Sequence, residues 1–380
     1  MKKNLLVVTT IFPNPKNMAL GSYNREIVAE LSELFDIDVI VPIPWFKGDS
    51  SGAYESWRLR GAMVHHPVYF YPPRCFFSTH DYFYYFSIWH LIKRLTLQKK
   101  YSAVLGLWLY PDGMVAKKIA HKLSIPYYVK VLGSDVNRLC MQHQLYTKSM
   151  DVIRHASKVF CVSNGLRKKL ESLGASSENL LVIYNGINKT VFSPCSIQAA
   201  RQSLSLPTEH GIVLFVGNLK REKGLYELLC AFNNVINSPN NAGTRLFIIG
   251  EGAFEPTLRE YAISKGISDA VMFLGRKTPS EVALWMNATS LLCLPSYSEG
   301  MPNVVLEALS CNTPVVATSI DGITELACQD DRITLVPPKE IDMLSDALIS
   351  VLGKSSKSSG GLAINSWADF ASSVYHVIGA

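Results

Sequence analysis

Two glutamates separated by seven residues, Glu299 and Glu307, are the side chains in this sequence most suggestive of ligand chemistry. The apolar run 291–294 predicts a buried strand that leads into a turn at Gly300. A helix is expected to begin near Pro302, because proline suits the first turn of a helix. The unpaired N–H groups and the dipole of that helix would form an anion site. Beside it, two carboxylates that only accept hydrogen bonds suit a ligand with phosphates and several hydroxyls, such as a nucleotide sugar. By spacing alone, ordinary helix-surface glutamates beside a Gly/Pro turn explain the stretch equally well.

A glycine-bounded loop rich in cations is the second candidate site. The apolar run 212–216 predicts a strand, which opens into residues 217–224 with Lys220, Arg221 and Lys223 ahead of a predicted helix. Such cations can neutralise a diphosphate and stabilise it as a leaving group. The alternative is a solvated basic loop. The GxxxxGK[ST] pattern of a Walker phosphate loop is absent.

Strand-like apolar runs alternate with helical patterns along the chain, and the elements they predict must position both candidate sites. The runs are 5–8, 39–41, 64–71, 103–107, 127–131, 159–162 and 181–183 in the first half, and 212–216, 246–249, 271–274, 291–294, 315–317 and 333–336 in the second. The alternation predicts an α/β protein with parallel sheets covered by helices. We expect two doubly wound, Rossmann-like domains facing a central cleft, with ligands at the carboxyl ends of the strands.

Breaks in the pattern suggest where the domains end. The segment 193–210 is polar and contains Pro194 and Pro207, and the run GKSSKSSGG over 353–361 is typical of a flexible linker. A final helix is predicted around 364–378. We therefore expect an N-terminal domain over 1–195, a C-terminal domain over 196–355, and a linker with a terminal helix over 356–380.

Length and composition agree with this organisation and exclude other classes. The 380 residues suffice for two domains, and a content of 48% hydrophobic against 18% charged residues excludes a disordered chain or a coiled coil. No run reaches the ~18 apolar residues that a membrane-spanning helix needs. The net charge of +6 divides unevenly: residues 1–195 hold 24 basic and 13 acidic residues (+11), and residues 196–380 hold 13 and 18 (−5). The two halves are expected to meet different partners.

Several motifs, taken in order, resemble the retaining glycosyltransferases of family 4 (glycosyl transferases group 1), which have the GT-B fold. In the second half they are the Lys223 loop, Ile248-Ile-Gly250-Glu-Gly252, Phe273-Leu-Gly275 and the Glu299–Glu307 stretch. In the first half they are Tyr110-Pro-Asp-Gly113, Gly133-Ser-Asp135, Val162-Ser163 and Tyr184-Asn185-Gly186. The resemblance covers nearly the whole chain, and it implies that the final helix returns to the first domain.

The resemblance also implies roles for single residues. Glu307 would hold the nucleotide ribose, Glu299 would contact hydroxyls of the donor sugar, and Lys223 would contact the diphosphate. With Asp135, Lys223 and Glu299 form the expected catalytic set. The expected donor-binding set comprises Gly21, Gly217, Asn218, Arg221, Lys223, Gly300, Met301, Pro302, Asn303 and Glu307.

Two positions depart from the family pattern. Family members usually have arginine at the position of Asn218, where it helps to neutralise the diphosphate; Arg221 is a candidate replacement. The family often places histidine at the position of Leu132, and leucine cannot form that hydrogen bond, which leaves Asp135 as the nearest polar candidate. Reduced activity and a distinct subgroup both follow from these departures, and the intact remainder of the site favours the subgroup.

The mechanism implied by the resemblance needs no protein nucleophile and no cofactor. The sugar would be transferred with retention, and the leaving diphosphate would assist on the same face. No metal is expected to be required. Asp36-Ile-Asp38, the only Asp-x-Asp sequence, is interpreted as a solvated strand edge.

The segment 69–100 is unusually aromatic, and it is the candidate surface for the acceptor. Its helical pattern over 88–95 lies beside Lys93 and Arg94, and a basic amphipathic helix with aromatics can lie on an anionic membrane. The alternative is a core-packing helix with a solvated basic face. We expect a cytoplasmic protein attached peripherally to the inner face of the plasma membrane. Nucleic acid is not an expected partner, because no recognition module is visible.

The function expected from the sequence is transfer of a sugar, of hexosyltransferase type, from a nucleotide sugar to a glycan or lipid-linked acceptor during polysaccharide or glycolipid synthesis. A sugar-nucleotide epimerase of the same fold and a non-catalytic, sugar-nucleotide-binding membrane scaffold are the alternatives.

Overall fold

The computed structural model describes residues 2–18, 20–47, 54–72, 77–139, 143–353 and 361–379. The chain forms two compact units, the first comprising Met1–Gly186 with Trp367–Ala380 and the second comprising Ile187–Ser366. The first unit therefore ends earlier along the chain than the position 195 expected from sequence. Most of the predicted linker, 354–360, and residues 73–76 of the aromatic segment lie outside the described residues.

The first unit is built on an eight-stranded sheet in the order β10-β9-β8-β7-β1-β2-β5-β4. Its strands are β1 (Asn4–Val8), β2 (Asp36–Ile40), β4 (Tyr54–Leu59), β5 (Ala62–His66), β7 (Ala103–Gly106), β8 (Tyr127–Val131), β9 (Lys158–Cys161) and β10 (Leu180–Val182), and β3 (Ile43–Pro44) with β6 (Val68–Tyr69) form a separate pair. All pairings in the large sheet are parallel except that of β4 with β5. The edge strand β4 was not predicted, and the single strand expected over 64–71 is divided between β5 and β6 at Pro67, which has no N–H to donate to a sheet.

Helices alternate with most strands of this sheet along the chain, as the alternation of patterns predicts. They are α1 (Ser22–Leu34), α2 (His80–Gln98), α3 (Met114–Leu123), α4 (Ser134–Leu139), α5 (His143–His155), α6 (Asn164–Ser172) and the terminal α14 (Trp367–Ile378). The apolar run that forms β1 is fully buried from Leu5 to Val8. The buried face of α14 carries Trp367 and Phe370 into the same core.

The second unit has a six-stranded, fully parallel sheet in the order β13-β12-β11-β14-β15-β16. The strands are β11 (Ile212–Val216), β12 (Arg245–Ile249), β13 (Val271–Gly275), β14 (Leu291–Leu294), β15 (Val315–Thr318) and β16 (Ile333–Val336). The helices are α7 (Ile197–Ser203), α8 (Leu225–Ile236), α9 (Glu255–Ser264), α10 (Pro279–Ala288), α11 (Asn303–Ser310), α12 (Asp321–Ala327) and α13 (Ile341–Leu352).

Each sheet has a point at which the strand order reverses direction. In the second unit β11 lies next to β14, so the chain winds outward from β11 through β12 and β13, and then from β14 through β15 and β16. In the first unit the corresponding neighbours are β1 and β7. The loops that leave the carboxyl ends of such a strand pair diverge and form the usual ligand crevice of open α/β sheets.

Candidate active site

Two loops meet at the carboxyl ends of β11 and β14 in the second unit. Gly224 has a φ of +66°, and a Cβ atom there would lie 2.0 Å from the carbonyl oxygen of Pro295. The backbone N–H of Tyr297 donates to the carbonyl oxygen of Glu222 at 2.9 Å. Only glycine permits this approach, and it holds the cationic loop against the loop that carries Glu299.

The approach brings together two of the three side chains predicted to act in catalysis. Lys223 Nζ lies 2.5 Å from Glu299 Oε1, although the two residues are 76 positions apart in sequence. The side chains remain 23% and 14% exposed, so both can be reached by a ligand. A cation and a hydrogen-bond acceptor held side by side can contact a phosphate and a sugar hydroxyl at the same time.

A tight turn and a helix N-terminus follow Glu299 directly. Helix α11 begins at Asn303, and Pro302 occupies the position just before the helix rather than its first turn as expected. Pro302 has no side-chain group that can cap α11, and the positive end of the helix dipole suits an anion. At Gly322 a Cβ atom would lie 1.8 Å from the Gly300 carbonyl oxygen, so the start of α12 supports the turn at close range.

Glu307 lies on α11, more than one turn beyond its start. Burial raises the pKa of its carboxyl to about 7. Among the described residues, no lysine, arginine or histidine forms an ion pair with it. The carboxyl therefore has free acceptor capacity, and its ionisation is sensitive to conditions near neutrality.

Further residues of the predicted donor set lie in the same loops of the second unit. Gly217 follows β11, and Gly250, with φ +137°, would place a Cβ atom 1.8 Å from the Gly217 carbonyl oxygen. Met301 is buried in the turn. Asn218 and Arg221 are both exposed on the loop. Sequence reasoning identified Gly217 but missed the supporting contact at Gly322, since nothing in its local sequence marks it.

Gly21 lies at the carboxyl edge of the first unit's sheet. Its φ is +63°, and a Cβ atom there would lie 2.3 Å from the Ile11 carbonyl oxygen. It is the N-cap residue of α1. Nearby, buried Asp112 accepts a hydrogen bond from the backbone N–H of Thr10 at 2.9 Å and so joins the loops that follow β1 and β7. Burial raises the pKa of Asp112 to about 7.

Asp135 is buried in the turn that follows β8, where its carboxylate serves the backbone. It accepts hydrogen bonds from the N–H groups of Leu132, Gly133 and Val136 at 2.9 to 3.3 Å, and from that of Leu109 at 3.3 Å. Burial raises its pKa, and these four donors oppose the shift. The contacts explain Asp135 as a residue that fixes the turn, and a part in catalysis remains a prediction.

The Asp36-Ile-Asp38 sequence differs from its interpretation as a solvated edge. Asp38 is buried and contacts His65 Nε2 at 2.7 Å, the Tyr101 hydroxyl at 2.7 Å and Lys99 Nζ at 2.6 Å. Burial alone would raise its pKa, but these hydrogen bonds outweigh burial and lower the pKa to about 2. Sequence reasoning did not predict this network, because the partners of Asp38 lie far from it along the chain. Within the described residues, no group of three His, Cys, Asp or Glu side chains is arranged to hold a metal ion.

Comparison with known proteins connects this geometry to an enzyme class. The model "Glycosyltransferase Family 4" matches residues 20–191, and "Glycosyl transferases group 1" matches residues 196–359. The putative teichuronic acid biosynthesis glycosyltransferase TuaC of Bacillus subtilis is 26% identical over 357 residues, which cover 90% of this chain and 88% of TuaC.

Solved structures agree on the fold. Sucrose-phosphate synthase from Thermosynechococcus elongatus has a TM-score of 0.78 at 18% identity, with 99% of this chain and 98% of that chain covered. Anabaena HepE, solved in complex with UDP and glucose, has a TM-score of 0.76 at 16% identity, and both chains are fully covered. The two doubly wound units and these structural neighbours show the GT-B fold. The chain belongs to the family 4 glycosyltransferases, as the sequence motifs predict.

Proposed function

We propose that this glycosyltransferase moves a hexosyl group, with retention, from a nucleotide sugar to a glycan or lipid-linked acceptor in cell-surface polysaccharide or glycolipid synthesis. One observation carries the proposal. The Lys223–Glu299 pair lies at the strand-order reversal of the second unit, beside the N-terminus of α11 and on the same stretch as Glu307. Cation, acceptor and helix dipole together suit a diphosphate joined to a sugar.

Named relatives support the ligand classes. HepE was solved with UDP-glucose, and WaaG is described as a glycosyltransferase involved in lipopolysaccharide biosynthesis. The name of TuaC refers to teichuronic acid biosynthesis. A UDP-sugar is therefore the first donor to test, and an acceptor from a surface polymer is the first acceptor.

The chemistry can be assigned to groups of this chain. As the bond from the anomeric carbon to the diphosphate breaks, negative charge develops on the leaving oxygen, and Lys223 with the N–H groups at the start of α11 stabilises it. The acceptor oxygen bonds to the anomeric carbon on the same face, and its proton passes to the leaving phosphate. Glu299 holds the sugar hydroxyls, and Glu307 holds the ribose. These cations and dipoles supply the charge stabilisation, so we propose that no metal is needed.

Peripheral membrane attachment is part of the proposal, and α2 supports it. One face of α2 buries Ile88, Ile92 and Leu95, whereas Phe83 and Phe86 are exposed on another part of its surface. The helix thus combines the core-packing role with an aromatic surface that suits a membrane interface. No helix in the described part of the chain has the length and apolarity to cross a bilayer. Flotation with anionic liposomes tests this, and binding that is absent or insensitive to salt would contradict it.

A single transfer assay tests the proposed reaction. The protein is incubated with a panel of radiolabelled nucleotide sugars and a membrane lipid extract, and the labelled products are separated. Transfer of label to lipid or glycan is the expected result. An isomerised donor would instead identify an epimerase, and bound donor without turnover would identify a non-catalytic scaffold.

A further inference from the structure

We propose that Lys118, Lys148 and Tyr82 in the first unit form a subsite for an anionic group on the acceptor. The inference rests on the proposed function, because it names the chemical class of the acceptor in that reaction. The group is a carboxylate of an acidic sugar or a phosphate, since both present the same negatively charged oxygens to lysine.

A buried carboxylate holds the two lysines together. Asp81 is 1% exposed, and its oxygens lie 2.5 Å from Lys118 Nζ and 2.6 Å from Lys148 Nζ. The Tyr110 hydroxyl donates to the same carboxylate at 3.0 Å. Three different helices, α2, α3 and α5, supply the charged groups, so the positions of the ammonium groups are fixed by the fold.

The cluster carries an excess positive charge that reaches the surface. Two ammonium groups face one carboxylate, which leaves a net charge of +1. The side chains of Lys118 and Lys148 remain 20% and 24% exposed. An ammonium group has three donors. Asp81 takes one from each lysine, and the Ser78 carbonyl oxygen takes a second from Lys148, so each lysine keeps a donor for a second anion.

An aromatic ring lies directly beside the ammonium groups. The centroid of the Tyr82 ring is 3.2 Å from Lys118 Nζ and 4.7 Å from Lys148 Nζ. The tyrosine is nevertheless 50% exposed. An exposed ring beside a cationic cluster suits a sugar that presents an apolar face to the ring and an anionic substituent to the lysines.

The position of the cluster in the fold agrees with a substrate subsite. Tyr110 belongs to the segment that follows β7, one of the two strands at which the strand order of the first unit reverses. Asp81 lies in the first turn of α2, and Lys118 lies midway along α3, the helix that follows β7. These elements start at the carboxyl edge of the sheet, where open α/β sheets bind their ligands.

Binding of simple probes tests the subsite without turnover. Octyl glucuronide and neutral octyl glucoside differ only in the carboxylate, so their comparison isolates the anionic group, and octyl phosphate presents a phosphate on the same alkyl chain without a sugar. We expect the better anionic probe to bind the full-length protein about tenfold more tightly than octyl glucoside. Tighter binding of octyl phosphate would identify phosphate as the natural group, and tighter binding of octyl glucuronide would identify a carboxylate. Equal binding of all three probes overturns the inference.

Matched variants separate a subsite from a structural ion cluster. Lys118→Gln and Lys148→Gln should each remove most of the preference for the anionic probe. Lys122→Gln, which removes an exposed charge from the same helix, should keep it. Tyr82→Ala leaves the ions in place and should weaken binding of both glycosides. A loss as large in Lys122→Gln as in Lys118→Gln would reduce the effect to general surface charge and overturn the inference.

The inference and the proposed function fail in different ways. Titration with UDP reports the nucleotide site of the second unit, and it should be unchanged in the folded Lys118→Gln variant. If sugar transfer occurs but anionic and neutral acceptors are used equally well, the subsite is wrong and the reaction stands. If the probes bind as expected but no nucleotide sugar is turned over, the reaction is wrong and the anion subsite stands.

Discussion

At the scale of a single residue, we predict that the Glu307 carboxyl makes UDP binding sensitive to pH. Burial raises its pKa to about 7, so the carboxylate that would accept ribose hydrogen bonds is lost as pH falls below that value. We predict that UDP affinity rises about tenfold between roughly pH 6 and pH 8, because about a tenth of the carboxyl is ionised at the lower value. Calorimetric titration across this range measures it.

Glutamine at position 307 provides the control for that prediction. Glu307→Gln should bind UDP weakly, and only the titration of UDP itself should remain in its pH profile. Glu260→Gln, on the exposed surface of α9, should retain the wild-type profile. An unchanged profile in Glu307→Gln would remove Glu307 from the nucleotide site.

Arg221 offers a second test at this scale, since Asn218 stands where the family usually has arginine. If Arg221 supplies the missing charge, Arg221→Ala should weaken UDP binding about tenfold, the value of one charge-assisted contact to phosphate. Adding Asn218→Arg to that variant should restore the affinity. An Arg221→Ala variant with wild-type affinity would show that neither position neutralises the diphosphate.

Local sequence predicted some residues well and others poorly, for physical reasons. Glu299 and Lys223 each stand in a recognisable turn, so their roles could be proposed before their 2.5 Å contact was known. The two lysine partners of Asp81 are 37 and 67 residues away in sequence, and such a cluster leaves no periodic signal. Asp135 could be found by its motif, but its bonds to backbone N–H groups could not.

At the scale of elements, the turn between β11 and α8 determines how the candidate site is assembled. Gly224 and Gly266 have nearly the same φ, +66° and +67°, but of the two only Gly224 has a neighbour within 4 Å of its missing Cβ. We predict that Gly224→Ala separates the two loops and weakens UDP binding by at least about tenfold, at a stability cost of about 1–3 kcal/mol. Thermal unfolding and UDP titration measure the two effects.

Gly266→Ala isolates the backbone strain in that experiment. It should lose about 1 kcal/mol of stability and keep its nucleotide affinity. Comparable losses of affinity in both variants would mean that the contact with Pro295 does not position the site.

The order of strands and helices was predictable because parallel strands buried on both faces have continuous apolar runs, as in 212–216. The edge strand β4 was not, since its Tyr54–Leu59 sequence lacks that pattern.

At the scale of the whole molecule, the terminal helix is part of the first unit although the second unit lies between them in sequence. Phe370 on α14 is 2% exposed, and its ring lies 4.8 Å from the Nζ atom of buried Lys130. We predict that Phe370→Ala lowers the free energy of unfolding of the first unit by about 3–5 kcal/mol through loss of apolar burial and creation of a cavity. Chemical denaturation measures this free energy of unfolding, in one series without UDP and in one series with UDP.

Ser372→Ala, at an exposed position of the same helix, is the matched control and should leave stability unchanged within about 0.5 kcal/mol. A small effect of Phe370→Ala would mean that α14 contributes little to the core.

The two-domain organisation was predictable from the repeated alternation of strands and helices. The end of the first unit at Gly186 was not, because residues 187–195 show no change in composition that marks it.

The central claim is that Lys223 stabilises the diphosphate leaving group of a nucleotide-sugar donor. The most direct test is the initial rate of sugar transfer to lipid extract by the wild type, Lys223→Ala and Lys220→Ala, all at saturating donor. Both substitutions remove one lysine from the same loop, but Lys220 is 58% exposed and lies 3.9 Å from Glu222, whereas Lys223 contacts Glu299. The account predicts a loss of about 10²- to 10³-fold for Lys223→Ala and most of the rate retained by Lys220→Ala. Equal rates in the two variants, or wild-type transfer by Lys223→Ala, would contradict it.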